Sequence, residues 1–420
     1  MRRLINIFVT PTALSTAIYY FGNFVVSACR YLFHLVLLRL LLPGEYGEFL
    51  TYLSLLYLLS IPNGTVGNVV IKFVAEFRGE NDNRSVNQFF YYLLKRLLPI
   101  TLLLGLPMIL FSNKLAIVFK AHPIAFSILG LSLFTSLVAT LVKSYLIAFH
   151  RFITMNVVSL VEVVLSIILA ILFIKSNFSA TGAVTAQVIA SIFSMVVVLI
   201  LIRKSIFPHL GGQVKKFKLG SFLGYSFINA AGSISLISTD ILLVRYFFDT
   251  HLSGIYSSLS VVGRIIYFGL APLIGLILPI ATHRYAAKKS IMTVFLKLGG
   301  TILFFGLVAT AIFTFFPTTI IGLLSGKQYL EAAPLLPIFS FSMLAYSLNI
   351  FIISYFMAVG KPEANLYLLF ATFIQPIMII IFHNSLSQVV WLDLLIELGI
   401  LLPLIWSLKR TRYEGIIGRG

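Results

Sequence analysis

The sequence predicts an all-α polytopic membrane protein. It has about 12 transmembrane helices in two six-helix bundles, related by a pseudo-two-fold axis along the membrane normal. Composition, the spacing of the apolar runs and an internal repeat predict it. Of 420 residues, 59% are hydrophobic and 10% charged, and mean hydropathy is +1.02. Soluble domains carry about 25% charged and about 45–50% apolar residues, so this chain lacks the polar surface that soluble or disordered classes need. The runs are apolar all round, without the alternating segments of about ten residues that mark a membrane β-barrel.

A helical crossing needs about 20 mostly apolar residues. With breaks at proline, glycine and charge clusters, the predicted spans are 12–38, 47–71, 88–111, 123–149, 153–174 and 180–202, then 219–247, 252–280, 291–316, 333–358, 364–383 and 389–408. They divide into an N-terminal bundle over 1–205, a cytoplasmic linker over 206–218, a C-terminal bundle over 219–410 and a cytoplasmic tail over 411–420. Met1-Arg2-Arg3 resembles the start of a signal peptide. The apolar run behind it extends to about Leu38 without a small-residue cleavage site, so it reads as an uncleaved first span. No connecting loop is long enough to hold a soluble domain.

Orientation follows from charge. Lys and Arg number 31 against 13 Asp and Glu, a net charge of +18. Most loop cations fall at the N-terminus, in alternate loops (Lys72, Arg78, Arg84; Arg203 to Lys218; Arg284 to Lys289) and in the tail, whereas the opposite loops hold Arg39, Lys114, Lys120, Lys175 and Lys327. The positive-inside rule places both termini in the cytoplasm. The excess charge then faces anionic lipid, with no nucleic-acid partner expected.

The halves share a pattern. Arg39-Leu-Leu-Leu-Pro-Gly-Glu-Tyr-Gly closes span one, and Arg245-Tyr-Phe-Phe-Asp-Thr-His-Leu-Ser-Gly-Ile-Tyr closes span seven. In each, an Arg follows an apolar run, then come a short turn, a Gly and a Tyr. Parallel repeats of this kind support rocking about a site at their interface.

Charges inside spans demand an account, because one at mid-bilayer costs at least about 2.5–3.5 kcal/mol. Arg30, Arg264, Glu162 and Asp240 lie deep, with Arg245 closer to the outer interface. Lys95, Arg96, Lys143 and Lys297 are placed nearer the cytoplasmic ends, where they snorkel to the headgroups. The deep set either forms structural ion pairs, Arg30 with Asp240 at matching depth, or lines a water-filled cavity that holds a charged substrate. Arginine suits phosphate because its planar fork of donors stays charged.

Asn229, Ser233 and Asp240 fall within about 40° on a helical wheel, giving span seven a polar face that suits a cavity wall or an interhelical seam. Asp393 and Glu397 share a face of span twelve and are candidates for ion coupling. Their expected position is toward the outer interface, solvated. The single cysteine, Cys29, reads as a packing residue. There is no GxxxxGK[ST], GxSxG or HExxH, and no His cluster with ligand spacing. No catalytic residue, metal or cofactor is therefore expected.

Several segments are recognisable together. Arg39-Leu-Leu-Leu-Pro-Gly-Glu-Tyr-Gly resembles the R-x-L-G-P-x-x-Y-G segment of the polysaccharide-biosynthesis flippases of the multidrug/oligosaccharidyl-lipid/polysaccharide (MOP) superfamily, with Pro43-Gly44 where the family usually has Gly-Pro. Gly64-Thr65 with Lys72-Phe-Val-Ala-Glu-Phe-Arg-Gly79 resembles their run into the first cytoplasmic loop. Asp240-Ile-Leu-Leu, followed by Ser253-Gly-Ile-Tyr-Ser257, resembles their span-seven acid and G-x-Y turn. Ala358-Val-Gly-Lys-Pro362 resembles their G-[KR]-P turn after span ten.

The resemblance runs in order along essentially the whole chain. It implies export of an undecaprenyl-diphosphate-linked oligosaccharide across a bacterial cytoplasmic membrane by alternating access. It also implies a cationic cavity near Arg30 and Arg264, H+ or Na+ coupling through Glu162 or Asp240, and glycosyltransferase or polymerase partners. Twelve spans favour the O-antigen, capsule and exopolysaccharide type over the lipid II type. The alternatives are a cation-coupled drug or metabolite exporter of the same fold, a polysaccharide polymerase or ligase, and a scaffold for a glycan-synthesis complex.

Overall fold

A computed structural model describes residues 11–80, 82–206, 222–286 and 291–413, which are helical almost throughout and contain no strand. The linker beyond Ile206, the tail beyond Tyr413, and Arg2, Arg3, Lys288 and Lys289 lie outside the described residues. Among the described residues, ten helical stretches are long and apolar enough to cross a membrane, eleven if one bent pair counts as a span; a further apolar helix, Asn365–Ile381, is shorter. The chain is thus an all-helical polytopic membrane protein.

The first unit comprises Met1–Leu41 and Leu55–Phe227. It contains α1 (Pro11–Leu40), α3 (Ile61–Gly79), α4 (Asn83–Leu110), α5 (Ser112–Val118), α6 (Pro123–Ala148), α7 (Phe152–Lys175) and α8 (Ser179–Ile206), with the end of α2 (Pro43–Leu59) leading in. Local chemistry sets the ends. Asp82 caps α4 by accepting from the Ser85 amide at 2.9 Å, satisfying a donor the helix leaves open. Pro123 opens α6, where a missing N–H costs nothing. Span two does not run straight: α2 and α3 meet at Ser60 with a bend of 51°, and Pro62 opens the second helix.

The core of this unit is built by Val70, Val74, Phe89, Phe90, Leu141 and Tyr145, and the Tyr145 hydroxyl donates to the Val86 carbonyl at 2.8 Å. Helix α1 packs along α7, with Gly22 against the Asn156 side chain, where a Cβ would overlap it.

The second unit comprises Leu42–Ser54 and Ile228–Gly420. It contains most of α2, then α9 (Phe222–Leu236), α10 (Thr239–Phe247), α11 (Thr250–Gly263), α12 (Ile265–Ala286), α13 (Met292–Phe315), α14 (Pro317–Leu324), a 3-10 segment (Lys327–Leu335), α15 (Leu336–Ala358), α16 (Asn365–Ile381) and α17 (Leu386–Tyr413). Two expected spans are interrupted. Span seven breaks between Leu236 and Thr239, and span eight breaks at Arg264.

The sequence reading keeps residues 42–54 with the N-terminal bundle. Their packing is instead with the second unit, and it joins the two repeated segments. Gly47 lies against the Gly254 backbone, and the Pro43 carbonyl occupies the place that a Cβ on Gly254 would take. Arg245 donates to the Gly44 carbonyl at 3.1 Å, and Tyr46 meets Tyr329 edge-to-face at 6.3 Å. Because the obstacle at Gly254 is backbone, Gly254→Ala should destabilise the fold by about 2–3 kcal/mol, read as a lowered Tm of the purified protein; an unchanged Tm would contradict the contact.

Candidate functional site

Both interrupted spans of the second unit deliver a charge at the interruption. The helix ending at Leu236 leaves its last carbonyls without an intrahelical partner, and α10 restarts with Asp240 in its first turn, where a carboxylate is favoured by the helix dipole. Arg264 is the residue between α11 and α12. The two meet: Arg264 Nη2 donates to Asp240 Oδ2 at 2.9 Å, and both are buried. Burying one charge without the other would cost several kcal/mol.

Three further side chains extend this pair. The Tyr256 hydroxyl, fully buried on α11, lies 2.8 Å from Asp240 Oδ2 and 2.8 Å from Asp393 Oδ2 on α17. Gln375 on α16 uses its amide twice, donating to Asp393 Oδ1 at 3.0 Å and to the Leu236 carbonyl exposed by the break at 3.1 Å. One turn along α17, the Glu397 carboxylate accepts from Asn349 Nδ2 at 2.8 Å, and the same amide reaches the Glu397 carbonyl at 2.9 Å.

Counting protons shows what this network can do. A tyrosine hydroxyl has one proton to give, and Tyr256 faces two carboxylates. Arg264 compensates Asp240, so the second contact closes when Asp393 carries a proton and donates it to the tyrosine oxygen. Neither Asp393 nor Glu397 forms a direct ion pair among the described residues, although Arg264 lies within electrostatic reach of Asp393. Asp240 Oδ1, Gln375 Oε1 and Asn349 Oδ1 are buried acceptors without a hydrogen-bond partner. Such a set, rich in oxygen and short of donors, suits a proton or a small hard cation.

The first unit holds a separate pair. Lys143 Nζ on α6 lies 2.5 Å from Glu162 Oε2 on α7, and Ser194 Oγ on α8 donates to the same oxygen at 3.0 Å. Arg30 differs from every other deep charge. It stands in the middle of the apolar stretch Phe21–Leu40, is exposed, and has no hydrogen-bond or ion-pair partner among the described residues.

Several expectations are corrected. Asp240 pairs with Arg264 rather than Arg30, because the two helix breaks set their side chains in register. Asp393 and Glu397 are not solvated near the outer interface: they are 5% and 4% exposed. Helix α17 begins at Leu386, which carries both carboxyls further in, against α16 and α15. Lys143 does not snorkel, because Glu162 on the neighbouring helix takes its ammonium.

Arg245 is 1% exposed and holds the turn at Gly44, with Glu48 and Tyr52 within electrostatic reach. The polar face of span seven splits at the break. Asn229 donates to Asn365 Oδ1 at 2.8 Å and the Ser233 carbonyl accepts from Tyr346 at 3.1 Å, while Asp240 belongs to the next helix. Sequence reasoning misses Tyr256, Gln375, Asn349 and Asn365. A signal exists for three of them, since Gln375, Asn349 and Asn365 are amides inside or at the edge of apolar runs.

No protein-family model and no curated protein matches the chain in sequence. Solved structures do resemble it. An inward-facing multidrug-resistance MATE family transporter of the MOP superfamily aligns with a TM-score of 0.73 at 13% identity, covering 92% of this chain and 94% of its own. The lipid II flippase MurJ in an inward closed conformation aligns with a TM-score of 0.72 at 15% identity, covering 96% and 90%. The MATE multidrug transporter DinF-BH, solved as a complex, aligns with a TM-score of 0.70 at 17% identity, covering 97% of each chain. The chain therefore shares, over nearly its whole length, the fold of MOP-superfamily transporters, a fold on which both drug transport and lipid flipping occur.

Proposed function

We propose that this protein moves an undecaprenyl-diphosphate-linked oligosaccharide from the inner to the outer leaflet of a bacterial cytoplasmic membrane by alternating access, with both termini cytoplasmic, supplying surface polysaccharide assembly. Glycosyltransferases and a polymerase would be its partners in the pathway. The observation that carries this reading is Arg30. A guanidinium in the middle of an apolar span, exposed and without a partner among the described residues, is too costly to leave against acyl chains. It needs an aqueous, anionic neighbour, and a diphosphate matches its fork of donors.

In this reading Arg264, engaged by Asp240, belongs to the coupling network rather than to the cargo contact. Asp240, Tyr256, Asp393 and Gln375 form that network, and H+ or Na+ is the coupling ion. Asn229, Ser233 and Arg245 shape the unit around it. Asp393→Asn tests the assignment. An asparagine amide donates to the Tyr256 oxygen as a protonated Asp393 would, so the variant should fold with little change in Tm. Transport into proteoliposomes should then lose its stimulation by an imposed proton or sodium gradient. Stimulation equal to wild type would remove Asp393 from the coupling.

The second reading is a cation-coupled drug or metabolite exporter, favoured by the two buried carboxyls, Asp393 and Glu397, that form no direct ion pair among the described residues. A deletion strain separates the two. The flippase reading expects lipid-linked glycan to accumulate on the cytoplasmic leaflet, with normal drug susceptibility. Normal glycan delivery together with heightened sensitivity to cationic drugs would overturn it in favour of the exporter.

A further inference from the structure

We propose that Lys143 is a second phosphate-binding group in the first unit, held in place by Glu162 and offering its remaining N–H donors to an anionic cargo. The proposal rests on the flippase reading, because it assumes a diphosphate-bearing cargo.

Depth is the first support. Gly22 of α1 lies against Asn156 of α7, and these helices are the first and fifth spans of the chain, so they run parallel. At a rise of about 1.5 Å per residue, Arg30 stands about 12 Å beyond this contact on α1 and Glu162 about 9 Å beyond it on α7. The Lys143–Glu162 pair and Arg30 therefore share one level of the unit to within about 3 Å.

Accessibility is the second. The side chains of Lys143 and Glu162 are each 15% exposed, unlike the sealed Asp240–Arg264 pair. A partly open ion pair in apolar spans is tolerated where its open side meets water or an anion rather than hydrocarbon. The third support is donor count. An ammonium has three N–H donors; one goes to Glu162, and Lys143 has no other partner among the described residues.

The carboxylate of Glu162 and a phosphate oxygen compete for the same ammonium. Ser194 Oγ holds the Glu162 carboxylate in place, so Lys143 can turn its other donors to a phosphate without leaving a bare buried charge.

Binding of farnesyl diphosphate to the full chain in phosphatidylcholine nanodiscs tests this. Glu162→Gln removes the competing carboxylate and should bind about tenfold more tightly than wild type. The double variant Lys143→Met with Glu162→Gln removes both charges, so no lone ion threatens folding. It should bind about tenfold more weakly than Glu162→Gln alone.

Equal binding by the double variant and Glu162→Gln would overturn the role of Lys143. The flippase reading would still stand if Arg30→Ala weakens binding. Absence of farnesyl diphosphate binding in wild type and Glu162→Gln alike would overturn both. Displacement of the probe by phosphatidylglycerol in the disc, but not by inorganic pyrophosphate, would assign the site to membrane headgroups and overturn its role toward cargo.

Discussion

Replacing Arg30 with alanine should slow cargo movement about a hundredfold while leaving the protein folded. The two halves of this expectation come from the same fact. Arg30 has no partner among the described residues and is exposed, so its removal strands no buried group, and surface changes of that kind stay within about 0.5 kcal/mol. The cargo loses two charge-assisted hydrogen bonds to a phosphate. At about 1.5 kcal/mol each at the lower end, that is about two powers of ten in affinity. Lysine should recover part of the loss, since it restores the charge without the fork. Monodisperse protein with unchanged Tm and full transport would show that the guanidinium serves some other purpose.

The largest stability effect should fall on Asp240. Asp240→Leu leaves Arg264 buried with Nη2 unpaired and its Nε already without a partner, and breaking a buried pair in this way costs about 3–5 kcal/mol. It also removes one of the two carboxylates that hold the Tyr256 hydroxyl. The double variant Asp240→Leu with Arg264→Met should regain most of the lost Tm, because an apolar pair of similar volume removes the stranded charge. Arg30→Met in place of Arg264→Met should rescue nothing. Rescue by Arg30→Met would restore the pairing that depth alone suggested.

That contrast shows which parts of the site the sequence exposes. Hydropathy finds the deep charges, since Arg30, Glu162, Asp240 and Arg264 stand out from apolar runs. It does not find their partners. A helical wheel drawn through span seven assumes a continuous helix, whereas the chain breaks between Leu236 and Thr239; the break sends Asp240 toward Arg264 and Tyr256, while Asn229 stays with Asn365.

Span boundaries matter in the same way. Starting the last span three residues late leaves Asp393 near the headgroups, and the helix beginning at Leu386 draws it inside. Lys143 shows the opposite limit. Its flexible stem permits snorkelling, and only the position of Glu162 on the adjacent helix decides otherwise. The spans themselves, from the first at Pro11 to the last at Leu386, are legible because bilayer thickness and proline or glycine punctuation impose them on the sequence directly.

The claim at the centre of this account is that a negatively charged head group passes beside Arg30. Its most direct measurement uses proteoliposomes carrying two fluorescent lipid-linked oligosaccharides of identical glycan and isoprenoid chain, one joined by a diphosphate and the other by a neutral ether. The account predicts protein-dependent movement of the diphosphate form between leaflets, with the neutral form left behind and the difference abolished in Arg30→Ala. Equal movement of both forms, or of neither while a cationic dye is exported, would contradict it.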